Sequence, residues 1–234
     1  MILTTDPMNK VESDSEIIAA TISLEEKSIL DIGCGMGGLV HWLNSQGACA
    51  VGLDALEMLG KAKKEVSGLS KHLLAGAAER LPIKSDCMDA IVYFASLHHI
   101  PREEIWNALK ECHRVLKSEG KAVIVEPVGR KGSYFEVVKL VEDEREIQKF
   151  ALSAIKAACR IGLKPLEEEF VFFERTYQDY QHLIETFVDD QKEASQALSA
   201  AKEVFFRFAQ DRGVAWNDFA FRSICRINIL EKED

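Results

Sequence analysis

The sequence has no apolar run approaching the ~18 residues that a bilayer-spanning helix needs, and its first residues do not form a leader pattern. It lacks an excess of basic residues. Its 29 Lys and Arg stand against 38 Asp and Glu, a formal charge of −9, which argues against a nucleic-acid or anionic-membrane surface. It also lacks any CxxC pair or His/Cys cluster with zinc spacing. Cys34, Cys49, Cys87, Cys112, Cys159 and Cys225 are scattered, four of them in apolar stretches, so they read as reduced core thiols and no metal centre is expected. Internal repeats and low-complexity segments are absent as well. These absences leave a cytoplasmic globular chain, long enough at 234 residues for one domain with a full core or one with a modest insertion.

What is present is organised around Ile29–Val40, ILDIGCGMGGLV. A short apolar run ending in Asp31-Ile32 meets Gly33, Gly35, Gly37 and Gly38, and then a helix-like Leu39-Val40-His41-Trp42-Leu43. That is a strand, a tight turn and a helix start, the turn needing residues that tolerate positive φ and let a ligand reach the backbone. The glycine spacing alone fits two cofactors. Gly33, Gly35 and Gly38 spell the GxGxxG of dinucleotide sites, and Gly33, Gly35 and Gly37 the GxGxG of S-adenosylmethionine sites. Asp31 favours the second, because a carboxylate repels a pyrophosphate and attracts an ammonium or sulfonium. The next apolar strand, Ala48–Asp54, closes on Asp54, where such folds place an acid for the ribose hydroxyls of either cofactor.

Along the chain, Ser13 and Glu16 form a capping box for a short helix that would lie over the cofactor or pack on the sheet. Strand and helix then alternate: strand Ala48–Asp54, helix Leu56–Ser67, strand His72–Ala75, strand Ala90–Phe94, helix Arg102–Leu116 and strand Lys121–Glu126. This is the pattern of a parallel sheet covered on both faces. Residues 132–161 read as one or two helices. Glu168–Thr176 reads as a strand, Tyr177–Phe187 and Gln191–Gln210 as helices, and Phe219–Leu230 as a half-exposed strand near a sheet edge, with Arg222, Arg226 and Asn228 on its outer side.

Four stretches in order resemble the class I S-adenosylmethionine-dependent methyltransferases, in particular the small-molecule group that includes the ubiquinone and menaquinone biosynthesis enzymes. They are ILDIGCGMGG, VGLDALEMLGKAK, GAAERLPIKSDCMDAIVYFASLHHI and ALKECHRVLKSEGKAVIVEP, covering roughly residues 28–127. The resemblance implies a Rossmann-like, doubly wound α/β fold. Its sheet would have seven strands, mostly parallel, with the last inserted antiparallel between the fifth and sixth. In one domain, 1–27 would be an N-terminal helix or lid, 28–127 the cofactor core, 128–166 a helical insertion or cap and 167–234 the C-terminal strands and helices. It implies S-adenosyl-L-methionine as cofactor and S-adenosyl-L-homocysteine as product. Asp31, Gly33, Gly35, Gly37, Asp54, Ala55, Met58, Ala78, Glu79 and Ala95 are the implied cofactor residues. Where relatives carry an Asp that contacts the adenine amine, this chain has Ala77, leaving the Ala78 backbone and Glu79 for that role.

The implied reaction is an in-line displacement onto a small-molecule acceptor, in which the protein aligns the partners and excludes water. His98 and His99 follow the fourth strand and are the candidate general bases; a structural or cofactor-adjacent role is the alternative. Tyr134, Phe135, Phe172, Phe173, Tyr177, Tyr180 and Trp216 would line an acceptor pocket or form core, and Arg130 and Lys131 would meet an anionic acceptor or sit in a solvated loop. A regulatory protein that binds the cofactor without turnover, and an NAD-dependent oxidoreductase, are the competing readings. The assembly is expected to be a monomer or homodimer.

Overall fold

The computed structural model describes residues 9–11, 13–65, 69–129, 132–140, 143–185, 202–206 and 219–233. Eight strands form one sheet. They are β1 (Asn9–Val11), β2 (Ser28–Ile32), β3 (Cys49–Asp54), β4 (Leu73–Ala75), β5 (Met88–Phe94), β6 (Leu116–Pro127), β7 (Leu163–Tyr177) and β8 (Phe219–Lys232), hydrogen-bonded in the order β1-β7-β8-β6-β5-β2-β3-β4. The helices are α1 (Asp14–Thr21), α2 (Gly38–Ser45), α3 (Leu56–Glu65), α4 (Ile105–Val115), α5 (Ser133–Val138), α6 (Arg145–Lys156) and α7 (Tyr180–Glu185). The strand expected at seven becomes eight because Asn9–Val11, in a start too polar to read as a strand, pairs in parallel with Val171–Phe173.

β2 through β6 pair in parallel, with Ile32 opposite both Leu53 and Tyr93 and Asp54 opposite Ala75. The carboxyl ends of β2, β3, β4 and β5 therefore lie side by side. β8 runs the other way. Glu233 N–H, at its end, donates to Gly162 O where β7 begins, Lys232 Nζ donates to Leu116 O where β6 begins, and Val128 N–H, past the end of β6, donates to Ile224 O.

The expected half-exposed edge strand is corrected here. β8 lies between β6 and β7, and Ser223 through Leu230 are buried on both sides of the strand. Its polar face survives burial by internal pairing. Arg226, only 6% exposed, donates from Nε to Asn228 Oδ1 at 2.8 Å, and Asn228 Nδ2 donates to Glu168 Oε2 at 3.0 Å.

Two smaller boundaries also move. The expected helix from Arg102 begins at Ile105, because Glu104 N–H and Ile105 N–H both donate to Pro101 O in a turn. β7 starts at Leu163, five residues before the expected Glu168, directly after Gly162 in the left-handed region at φ 81°.

The chain divides into two compact units. One comprises Ser13–Glu126, Lys149–Glu169 and Arg226–Asp234. Its core joins Leu30, Ile32 and Leu53 of the sheet to Ile105, Leu109 and Cys112 of α4 and to Ala151, Ala154 and Ile155 of α6. α4 presents these residues at helical spacing, which is why it forms and why it covers this face. The other unit comprises Met1–Glu12, Pro127–Gln148 and Phe170–Cys225, with a core of Val137, Tyr177, Leu183, Phe205 and Phe221. Tyr134 stacks parallel to Tyr177 there, so Tyr134, Tyr177 and Tyr180, three of the aromatic residues considered for an acceptor pocket, are packing residues of this unit. Helix Gln191–Gln210 for the most part, Arg130, Lys131 and Trp216 lie outside the described residues.

Candidate active site

The glycine turn has the backbone that its residues promised. Gly33, Gly35 and Gly37 have φ of 77°, 53° and 78°, a region costly for any residue with a Cβ. Gly33 is also required by space: a Cβ there would stand 2.4 Å from Ser96 Cβ. Ser96 follows β5, and its Oγ donates to Ile32 O at 2.6 Å, so the loop after β5 is fastened to the glycine turn. Gly35 differs. A Cβ at Gly35 would meet nothing within 4 Å, which leaves open space over the middle of the turn.

The turn is held from below by β3. Leu53 O accepts the N–H groups of Gly33 and Cys34, and Asp54 Oδ2 accepts the N–H of Gly35 at 2.7 Å. The second oxygen, Oδ1, accepts Ala55 N–H at 2.7 Å. α2 then starts at Gly38 with Gly37 as its cap residue and no side chain on its first N–H groups.

Asp31 lies beneath the turn, 3% exposed. Burial raises its carboxyl to about 7, with the charges of Asp14 and Asp54 adding to the rise. Asp14 comes from α1, which packs on α2 and is capped as its sequence indicated, Glu16 N–H donating to Ser13 Oγ at 3.3 Å. The N-terminal helix thus brings a third carboxylate to the site. Cys34, inside the turn, has its thiol pushed up to about 12 by burial and by Asp31 and Asp54, and is no nucleophile.

Beyond β4 a cleft of about 540 Å³ is lined by Ala75, Gly76, Ala77, Glu79, Arg80, Leu81, Pro82 and Glu104. Ala78 is buried, whereas Glu79 faces this space. The loop is clamped from α4. Glu111 Oε2 accepts Leu81 N–H, Arg114 donates to Leu81 O and Ile83 O, and the two side chains pair bidentately at 2.7 Å. Ala55 and Met58 are exposed at the start of α3. Ala95 is exposed after β5 and sits at φ 49°, a strained backbone for alanine.

The two histidines, with ring centroids 4.1 Å apart, differ in burial. His99 is exposed, and His98 is 4% exposed with Nδ1 2.5 Å from Glu126 Oε2. Glu126, 1% exposed, also accepts Leu97 N–H at 3.1 Å. Sequence reasoning gave Glu126 no role. The available signal was an acid ending an apolar strand, as Asp31 and Asp54 do.

A mostly parallel sheet whose carboxyl edge carries a glycine turn, with a buried acid beneath it and a second acid at the end of the next strand, is a Rossmann-like α/β arrangement. Residues 30–124 match the family model described as a methyltransferase domain.

Among curated proteins, an uncharacterized methyltransferase of Oceanobacillus iheyensis is 29% identical over 113 residues, 48% of this chain and 52% of that protein. The demethylmenaquinone methyltransferase of Chlorobaculum parvum is 32% identical over 105 residues, 44% of this chain and 42% of that protein. The chain thus spans about half the length of the curated relatives it matches. A crystal structure of a proposed methyltransferase from Bacillus halodurans C-125 superposes with a TM-score of 0.65 at 18% identity, covering 94% of this chain and 99% of that one, and shows the shared fold.

Proposed function

We propose that the protein is an S-adenosylmethionine-dependent methyltransferase acting on a small-molecule acceptor. The observation that carries this reading is the convergence of Asp31, the glycine turn and Asp54 on one edge of the sheet. The residues suit the cofactor. The space above Gly35 admits a ligand against the backbone, and the charges acting on buried Asp31 are both negative, an environment that a cationic ligand relieves.

In this reading Asp31 faces the ammonium of the cofactor's methionine part, Gly33, Gly35 and Gly37 pass beneath it, and Asp54 holds the ribose. Ala55, Met58, Ala78 and Glu79 surround the adenine and Ala95 closes the far side. The cofactor supplies a methyl group on a sulfonium leaving group. The chain's part is to orient the two reactants and exclude water, worth up to about 7–11 kcal/mol in well-oriented systems. The similarity to a demethylmenaquinone methyltransferase supports a quinone-like aromatic acceptor.

The test is calorimetric titration with S-adenosylhomocysteine. Micromolar binding, lost in Asp54→Ala, is the expected result; no binding by the native chain overturns the reading, and so does binding of NAD in its place.

A further inference from the structure

We propose that the amino edge of the sheet carries a second binding site, formed by Lys27, Lys117 and Lys121, for a phosphate dianion, free or carried on a small compound. The site does not depend on the methyltransferase reading. β2, β5 and β6 begin at Ser28, Met88 and Leu116, and beside these beginnings lies a cavity of about 320 Å³ whose walls include the three lysines, Asp89, Ser23 and Ile22. The glycine turn follows the other end of β2, ~13 Å away along the strand. The cavity is therefore separate from the candidate active site.

The strand pairing brings two of the lysines together. Met88 stands opposite Leu116 and Ala90 opposite Lys121, so two residue steps of β5 face five of β6. Two steps cover ~7 Å and five extended steps ~17 Å, and the surplus is folded out as residues 117–120. Glu119 in that fold has φ 58°, a costly backbone for a residue with a Cβ, and a Cβ on Gly120 would stand 2.8 Å from Lys117 O. An extended strand would hold Lys117 and Lys121 ~13 Å apart. The fold instead sets both on the wall of one cavity.

The charges are arranged for an anion. Asp89 Oδ2 accepts Lys117 Nζ at 2.8 Å and Ser28 N–H at 2.9 Å, and Lys27 Nζ lies 3.6 Å from Oδ1. One carboxylate thus steadies two ammoniums, each with further N–H donors to offer. Ion pairs this exposed, with the two lysine side chains 46% and 43% accessible, contribute little to stability. The Lys121 ammonium has no ion pair among the described residues. Glu119, exposed in the fold, is the remaining acid, so three cations face two acids on a chain of net charge −9.

A phosphate monoester carries nearly two charges and three terminal oxygens, which match three point-charge donors and the Ser23 hydroxyl. A carboxylate, with one charge and two oxygens, leaves a lysine unmatched. Ile22 and Ala90 offer an apolar wall to the carbon body of an ester. The volume sits at the lower end of the ~300–1,000 Å³ of small-ligand sites, which suits a short-chain ester.

The test titrates the isotope-labelled full chain with glycerol 3-phosphate and with inorganic phosphate. The buffer is held at about pH 7.5, above the second phosphate pKa of about 6, in ~0.15 M sodium chloride. Amide shifts are followed by NMR and affinity by calorimetry. Saturable binding at millimolar concentration or below is expected, with the largest shifts at Ser23, Ala90 and Gly120. Lys121→Ala, which breaks no described ion pair, should weaken binding by about tenfold and leave the melting temperature unchanged. Tighter binding of the ester supports a phosphorylated compound as occupant, and tighter binding of the inorganic ion supports free phosphate. No saturation by either probe up to about 10 mM, equal affinity in Lys121→Ala and native chains, or shifts confined to Gly33, Gly35 and Gly37 overturns the proposal.

Discussion

The carboxylate of Asp54 receives two backbone N–H groups at 2.7 Å, that of Gly35 across the glycine turn and that of Ala55 beside it. The acid proposed to hold the ribose is thus also the strut of the glycine turn. Asp54→Asn keeps an oxygen for Gly35 but turns an amide toward Ala55 N–H or the ribose. A loss of about 10- to 100-fold in S-adenosylhomocysteine affinity, from roughly 1.4–2.8 kcal/mol of lost hydrogen bonding, is expected, with a melting temperature close to native. Asp54→Ala should lose the affinity and several degrees of melting temperature together.

Asp31 opposes stability and, on the proposed function, serves binding. The folded chain holds its proton up to about pH 7, whereas the unfolded carboxyl titrates near 3.8. Rising pH therefore weakens the fold between those two values, and above them the cost is fully present, about 4 kcal/mol. Asp31→Asn should raise the melting temperature at about pH 8, leave it nearly unchanged near pH 4, and abolish S-adenosylhomocysteine binding. In the native chain the affinity should fall as pH drops below about 7, where the carboxyl takes up a proton.

Gly33→Ala meets two obstacles, the positive φ and Ser96 Cβ at 2.4 Å. The double variant Gly33→Ala/Ser96→Gly removes the clash and leaves the backbone cost of about 1–2 kcal/mol together with the loss of the Ser96 Oγ–Ile32 O hydrogen bond. Thermal denaturation should rank native above the double variant and the double variant above Gly33→Ala.

Arg114 fixes the loop that carries Glu79 without touching the cleft. Arg114→Lys keeps the charge but not the fork that spans Glu111, Leu81 O and Ile83 O. A destabilisation of about 1–3 kcal/mol is expected from the orphaned groups, with weaker S-adenosylhomocysteine binding. Urea denaturation and calorimetry on the same sample separate the two effects.

The parts of this site made by local chain geometry were legible in the sequence. Glycines at 33, 35 and 37 announce positive φ, and Asp31 and Asp54 stand at strand ends whose register follows from apolar runs. The parts made by distant chain segments were not. Glu126 and His98 are 28 residues apart, and only the pairing of β5 with β6 brings them together. The polar side of β8 read as solvent-facing because Arg226 and Asn228 carry no mark of Glu168, 60 residues from Asn228, which satisfies them. Asn9–Val11 became a strand through its partner, Val171–Phe173, and not through its own composition.

The interior place of β8 has a consequence in time. It is made after β6 and β7, yet it hydrogen-bonds to both, so during synthesis each of them waits with one row of backbone donors and acceptors unpaired. That wait spans the whole interval from Tyr177 to Phe219. A nascent chain stalled there offers two open edges to any other stalled chain, and closing this gap is the slow, non-local step that folding of the sheet must complete last.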